Sequence, residues 1–109
     1  ACTIVVDGVV RRGCLMFAVQ LEGRTVETIE GASDSGRVRD LQAAFVERNA
    51  LQCGYCTPGM ILTAAEFLAR EREPTRAAIR EALSGNLCRC TGYEAIIDAV
   101  EAASRKAAR

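Results

Sequence analysis

The chain has 109 residues, half of them hydrophobic, with 14 basic and 14 acidic side chains and no histidine; that is the size and apolar content of one compact domain, and barely enough for two. The charges balance and form no block of one sign, which argues against a nucleic-acid surface or a partner recruited by net charge. The long uncharged run from Asn49 to Ala65 is interrupted by Gln52, Gly54, Pro58 and Gly59, so it reads neither as a membrane span nor as a signal peptide, and a cytoplasmic location is the expectation.

Ala1 leads at once into a strand-like run with no initiator methionine, so an upstream segment is expected. Thr3 to Val6 and Val9 to Arg11 are β-branched runs on either side of Asp7-Gly8, the dipeptide of a two-residue hairpin turn. Leu15 to Val19 reads as a further extended or short helical piece, and Thr25 to Ile29 alternates like an edge strand. Gly31 to Gly36 is polar and flanked by glycines; it predicts a loop that separates a β part from an α part near residue 34. Val38, Leu41 and Phe45 then recur at helical spacing and predict a helix from Val38 to Arg48.

A second helix is predicted from Met60, Ile61, Ala64, Phe67 and Leu68, with Thr57 as N-cap, Pro58 at its first position and an end near Arg72. Pro74-Thr75 restarts the chain into a third helix through Ile79 and Leu83, closed by Gly85 as a left-handed cap. Thr91-Gly92-Tyr93-Glu94 predicts a capping box for a fourth helix through Ile96, Ile97, Val100 and Ala103, with Ser104 to Arg109 fraying. Four helices joined by short loops make a small bundle.

Six cysteines in so short a chain would suit a secreted disulfide framework, yet they fall in close pairs at polar turns within helical sequence. Cys53-Gly54-Tyr55-Cys56 holds two sulfurs on one side of a turn. Cys88-Arg89-Cys90 does the same if extended, because alternate side chains share a face. Four thiolates with no histidine favour an all-sulfur metal site over a mixed zinc finger or a Rieske centre. An oxidised 2Fe-2S cluster on four thiolates carries about two negative charges, which two nearby helix N-termini would suit. A zinc knot with four cysteines, and a redox dithiol at Cys53 and Cys56, are the competing readings. Cys2 and Cys14 lie near the two ends of the hairpin, close enough to approach each other, and are either half of a second site or two free thiols.

Gln52-Cys53-Gly54-Tyr55-Cys56-Thr57-Pro58-Gly59-Met60, followed by Leu83-Ser84-Gly85-Asn86-Leu87-Cys88-Arg89-Cys90-Thr91-Gly92-Tyr93, resembles the iron-sulfur subunit of molybdenum hydroxylases of the xanthine dehydrogenase, aldehyde oxidoreductase and carbon monoxide dehydrogenase type. Ala1 to Gly8, with Cys14, is similar to the end of that family's plant-type ferredoxin domain. The resemblance implies an α+β chain: residues 1–34 as the incomplete, truncated C-terminal part of a β-grasp 2Fe-2S ferredoxin domain, and residues 35–109 as a four-helix bundle that binds a second 2Fe-2S cluster. It implies that Cys53, Cys56, Cys88 and Cys90 ligate the proximal cluster, with Gln52 and Cys90 approaching the molybdopterin. Cys2 and Cys14 match two ligands of the distal cluster, whose other two cysteines precede the position of Ala1 in the family. The partners implied are a large molybdopterin-binding subunit and a medium FAD-binding subunit. In that setting the chain relays single electrons from the molybdenum centre to FAD or another acceptor, and no residue of it acts on substrate. A stand-alone 2Fe-2S carrier and a zinc-stabilised interaction module are the other functions considered.

Overall fold

The computed structural model describes residues 1–108. A hairpin opens it: β1 (Thr3–Val6) pairs antiparallel with β2 (Val9–Arg12), with Thr3 opposite Arg12 and Val6 opposite Val9. Asp7 and Gly8 take φ of 50° and 80°, the two positive values that a tight turn matching the strand twist requires. Asp7 also reaches across the sheet. Its carboxylate accepts from the Thr25 amide at 2.9 Å and from Arg24 at 3.1 Å, and these contacts hold it below the usual carboxylate range, the Thr25 bond foremost. They seat β3 (Val26–Glu27) antiparallel on the other side of β1, giving the order β2-β1-β3.

The Leu15 to Val19 segment is short helical: two 3₁₀ turns, Gly13–Leu15 and Ala18–Leu21, join the hairpin to β3. The predicted loop at Gly31 to Gly36 is instead largely helix α1 (Ile29–Asp34). Ala32 on its inner face is fully buried in the core, so tertiary packing overrides the weak local propensity of a Gly-Ala-Ser-Asp run. After α1 the chain turns left-handed at Gly36, with φ of 77°.

Helices α2 (Arg39–Glu47), α3 (Thr57–Arg70), α4 (Arg76–Leu83) and α5 (Glu94–Ala107) follow. Their apolar faces meet in one core around Phe45, Met60, Leu62, Ile79, Ile96 and Val100, and Val5 of β1 belongs to the same cluster. Helix α3 lies between the layers: it contacts β1 and β2 on one side and α2 and α4 on the other. Its Glu66 accepts from the Val10 amide on the free edge of β2, which occupies one of the donors an edge strand leaves open.

Several helix ends differ from expectation. Cys56, not Thr57, precedes the first turn of α3. Thr75 caps α4 as expected, accepting from the Ala78 amide at 3.2 Å. Gly85 is not left-handed. Its carbonyl accepts from the Arg12 guanidinium at 2.9 Å, which lies directly against the glycine. The capping box at Thr91 does not form either: Tyr93 is the N-cap of α5, with φ of 72°, and Glu94 bonds Arg76 and Arg80 of α4 instead. Nor does Ser104 begin a fraying tail. It is buried, helix α5 runs on to Ala107, and Lys106 pairs with Asp40 of α2 at 2.8 Å. Arg109 lies outside the described residues.

Candidate metal centre

The first cysteine turn links α2 to α3. Gly54, at φ of 81°, reverses the chain so that Cys53 and Cys56 flank the bend, and its carbonyl accepts from the Thr57 amide at 3.3 Å. The Tyr55 amide points at Cys53 Sγ, 3.4 Å away. Cys56 sits directly on the N-terminus of α3, where the unpaired backbone N–H groups of the first turn favour negative charge. The neighbouring Thr57 hydroxyl is buried against Cys56, whose thiol is its nearest partner.

The second turn links α4 to α5 and is built on two successive left-handed residues, Gly92 and Tyr93, with φ of 71° and 72°. Tyr93 folds back so that its hydroxyl accepts from the Cys88 amide at 2.9 Å. The Thr91 hydroxyl donates to Cys88 Sγ at 3.1 Å and accepts from the Tyr93 amide at 3.2 Å.

The two turns meet face to face. Cys53 Sγ and Cys90 Sγ are 3.5 Å apart, the Gln52 side-chain amide donates to the Cys90 carbonyl at 3.1 Å, and the thiols of Cys56 and Cys88 share a hydrogen bond. The sulfurs therefore form two cross-turn pairs, one exposed (Cys53 and Cys90) and one half-buried (Cys56 and Cys88). Among the described residues no three cysteine, aspartate or glutamate side chains form a single-ion site.

The half-buried pair is electrostatically unequal. Burial pushes the Cys56 thiol up to about 11, helped by its bond to Cys88. Burial opposes ionisation of Cys88 too, yet the Thr91 hydroxyl and the Cys90 and Thr91 amides outweigh it and bring that thiol down to about 7. A metal centre that takes both as thiolates would displace their protons. Four thiols in two pairs, a helix N-terminus and a buried hydroxyl beside Cys56 fit a thiolate-ligated, anionic centre of more than one metal atom.

Cys2 and Cys14 are brought together by the strand register, their sulfurs 3.0 Å apart, longer than the roughly 2.05 Å of a disulfide. The bond between them holds Cys2 below the ordinary thiol range and Cys14 above it. A cleft of about 220 Å³ separates this pair from the first turn; Cys2, Thr3 and Arg12 line one side, Tyr55, Cys56 and Asn86 the other. Both cysteine sites open onto it. The roles of Thr91, Tyr93, Asn86 and Arg12 carry no signal in residue spacing, since each acts through a contact that the fold creates.

Residues 28–101 match the family described as the 2Fe-2S binding domain. The nicotine 6-hydroxylase small subunit of Paenarthrobacter nicotinovorans is 51% identical over 100 residues, which is 92% of this chain and 60% of that protein. The xanthine dehydrogenase iron-sulfur-binding subunit of Escherichia coli O157:H7 is 44% identical over 102 residues, 92% of this chain and 64% of that one. The chain thus spans a little over three-fifths of the length of these curated relatives. Among solved structures, that of quinoline 2-oxidoreductase from Pseudomonas putida 86 superposes with a TM-score of 0.90 at 51% identity, over 99% of this chain and 68% of the other. The chain belongs to the 2Fe-2S binding domain family, and the relatives it matches are small iron-sulfur subunits of hydroxylases and dehydrogenases such as xanthine dehydrogenase.

Proposed function

We propose that the chain is the electron-relay part of a molybdenum hydroxylase, holding a proximal 2Fe-2S cluster on Cys53, Cys56, Cys88 and Cys90. The observation that carries this reading is the meeting of the two cysteine turns as cross-turn sulfur pairs, a donor set for two metal atoms rather than a structural strut. A bound 2Fe-2S cluster takes up and gives back one electron at a time. The residues of the chain supply its thiolates, donate hydrogen bonds to the sulfurs and exclude water on the Cys56 and Cys88 side.

Residues 1–34 are read as the C-terminal part of a β-grasp ferredoxin domain, with Cys2 and Cys14 as two ligands of a distal 2Fe-2S cluster. Residues 35–109 are read as the helical four-helix-bundle domain. The family match over residues 28–101 supports the second assignment; the proximity of Cys2 to Cys14, across the cleft from Cys56, supports the first. Electrons would arrive from a molybdopterin-binding large subunit at the exposed Cys53 and Cys90 side, where Gln52 ties the two turns together, and leave by the Cys2 and Cys14 side toward an FAD-binding subunit or another acceptor. Tyr55 and Leu87 stand more than three-quarters exposed beside the turns, the kind of apolar surface that a permanent subunit interface covers.

A tag placed on the protein and used to purify it from its own cells tests the assignment. Molybdenum is expected to co-elute with the chain and to stay with it through gel filtration. Recovery of the iron-sulfur protein alone, with molybdenum in other fractions, would make it a stand-alone carrier.

A further inference from the structure

We propose that Thr91 sets the reduction potential of the proximal site, and that a closed circuit of three hydrogen bonds aims its hydroxyl proton at Cys88. The inference rests on the proximal-cluster reading above and assigns a positioning role that the ligand set alone does not contain.

The circuit runs through three residues. The Cys88 amide donates to the Tyr93 hydroxyl at 2.9 Å, the Tyr93 amide donates to Thr91 Oγ1 at 3.2 Å, and the Thr91 hydroxyl donates to Cys88 Sγ at 3.1 Å. A hydroxyl has one proton and two lone pairs. With a lone pair of Thr91 taken by the Tyr93 amide, its proton is directed at the sulfur, and accepting that amide polarises the hydroxyl and strengthens the bond it donates. The amide of Cys88 is meanwhile committed to Tyr93, so it does not compete for the Cys88 sulfur.

The backbone is bent to make this possible. The circuit closes only because Gly92 and Tyr93 are both left-handed, and a tyrosine adopts that conformation at a cost. Strain of this kind persists where the surroundings over-determine it, and it clusters at functional sites. In the first turn Cys53 receives a backbone amide, from Tyr55, and the Thr57 hydroxyl lies against Cys56 without the amide contact that aims the Thr91 proton.

One-electron reduction adds a negative charge to the cluster and its thiolates. A hydrogen bond donated to a ligand sulfur stabilises the reduced form more than the oxidised one and so raises the potential. Removing it lowers the potential.

The test is an EPR-monitored redox titration of the purified complex, with wild type, Thr91→Val, Thr91→Ala and Thr91→Ser. Thr91→Val and Thr91→Ala are expected to make reduction of one EPR signal about tenfold less favourable, a shift of about 59 mV downward for one electron, while the second signal keeps its midpoint. Thr91→Ser restores the wild-type value, because it keeps the hydroxyl. Unchanged potentials in Val and Ala, or a Ser variant shifted as far as Val, would overturn the role. So would assembly of a cluster only in wild type and Ser, which would make Thr91 an assembly residue. Absence of any 2Fe-2S signal from the wild-type complex would instead sink the underlying cluster reading.

Discussion

Cys88→Ala removes one of the two EPR signals of the dithionite-reduced complex and leaves the other in place. Cys88 is the most committed sulfur of the site: half-buried, hydrogen-bonded by Thr91, bonded to Cys56 and brought down to about 7. Its loss leaves Cys56 without its cross-turn partner on the protein side of the centre. Three remaining thiols do not restore that pair, because Cys53 and Cys90 are engaged with each other on the exposed side. On the proposed two-cluster reading the surviving signal is that of the Cys2 and Cys14 site, which shares no cysteine with this one and lies across the cleft. Iron content falls by the share of one cluster. Since a metal centre that bridges two turns contributes its binding free energy to the fold, the variant also unfolds at lower temperature. Retention of both signals would mean that Cys88 is not a ligand.

Asn86→Ala is expected to destabilise the protein by about 2–4 kcal/mol, from two lost hydrogen bonds, one buried and one part-buried, and the donor and acceptor capacity they leave unmet on Thr3 and Thr63. Asn86 is only 7% exposed. Its side-chain oxygen accepts from the Thr3 hydroxyl at 3.0 Å, and its nitrogen donates to the Thr63 hydroxyl at 2.8 Å. Thr3 is bonded in turn by Arg12, whose other guanidinium nitrogen reaches Gly85. One amide therefore ties the hairpin, helix α3 and the approach to Cys88 together. Gly59 marks how close these segments come, since an added Cβ would lie 2.7 Å from the Asn86 oxygen and 3.1 Å from that of Thr3. Gly59→Ala should lower the unfolding midpoint as Asn86→Ala does, by displacing the same amide. Urea unfolding of both variants checks this; a change below about 0.5 kcal/mol, the range of ordinary surface substitutions, would contradict it.

Local sequence patterns fixed by short-range physics were legible. Asp7-Gly8 encodes its turn through the left-handed preference of two adjacent residues, and the apolar spacing of α2 to α5 follows the helical repeat that the core needs. The cysteine turns were readable because paired thiols at short spacing have few structural uses. What escaped depends on tertiary context. Helix α1 forms because Ala32 is wanted in the core, and the Gly85 carbonyl is held by Arg12 from the hairpin, over seventy residues earlier. The Thr91 to Glu94 run has the letters of a capping box. Its threonine and glutamate are instead claimed by Cys88 and by Arg76 and Arg80. Likewise the stretch from Ser104 reads as a fraying tail, but Ser104 and Lys106 dock the end of α5 against the rest of the fold.

The most direct test of the relay assignment is an assay of iron, acid-labile sulfide and zinc on the protein purified from its own cells, with visible spectra before and after dithionite. Iron and sulfide in equal amounts, in a brown protein that bleaches on reduction, is the predicted result. A colourless protein holding one tightly bound zinc would contradict it.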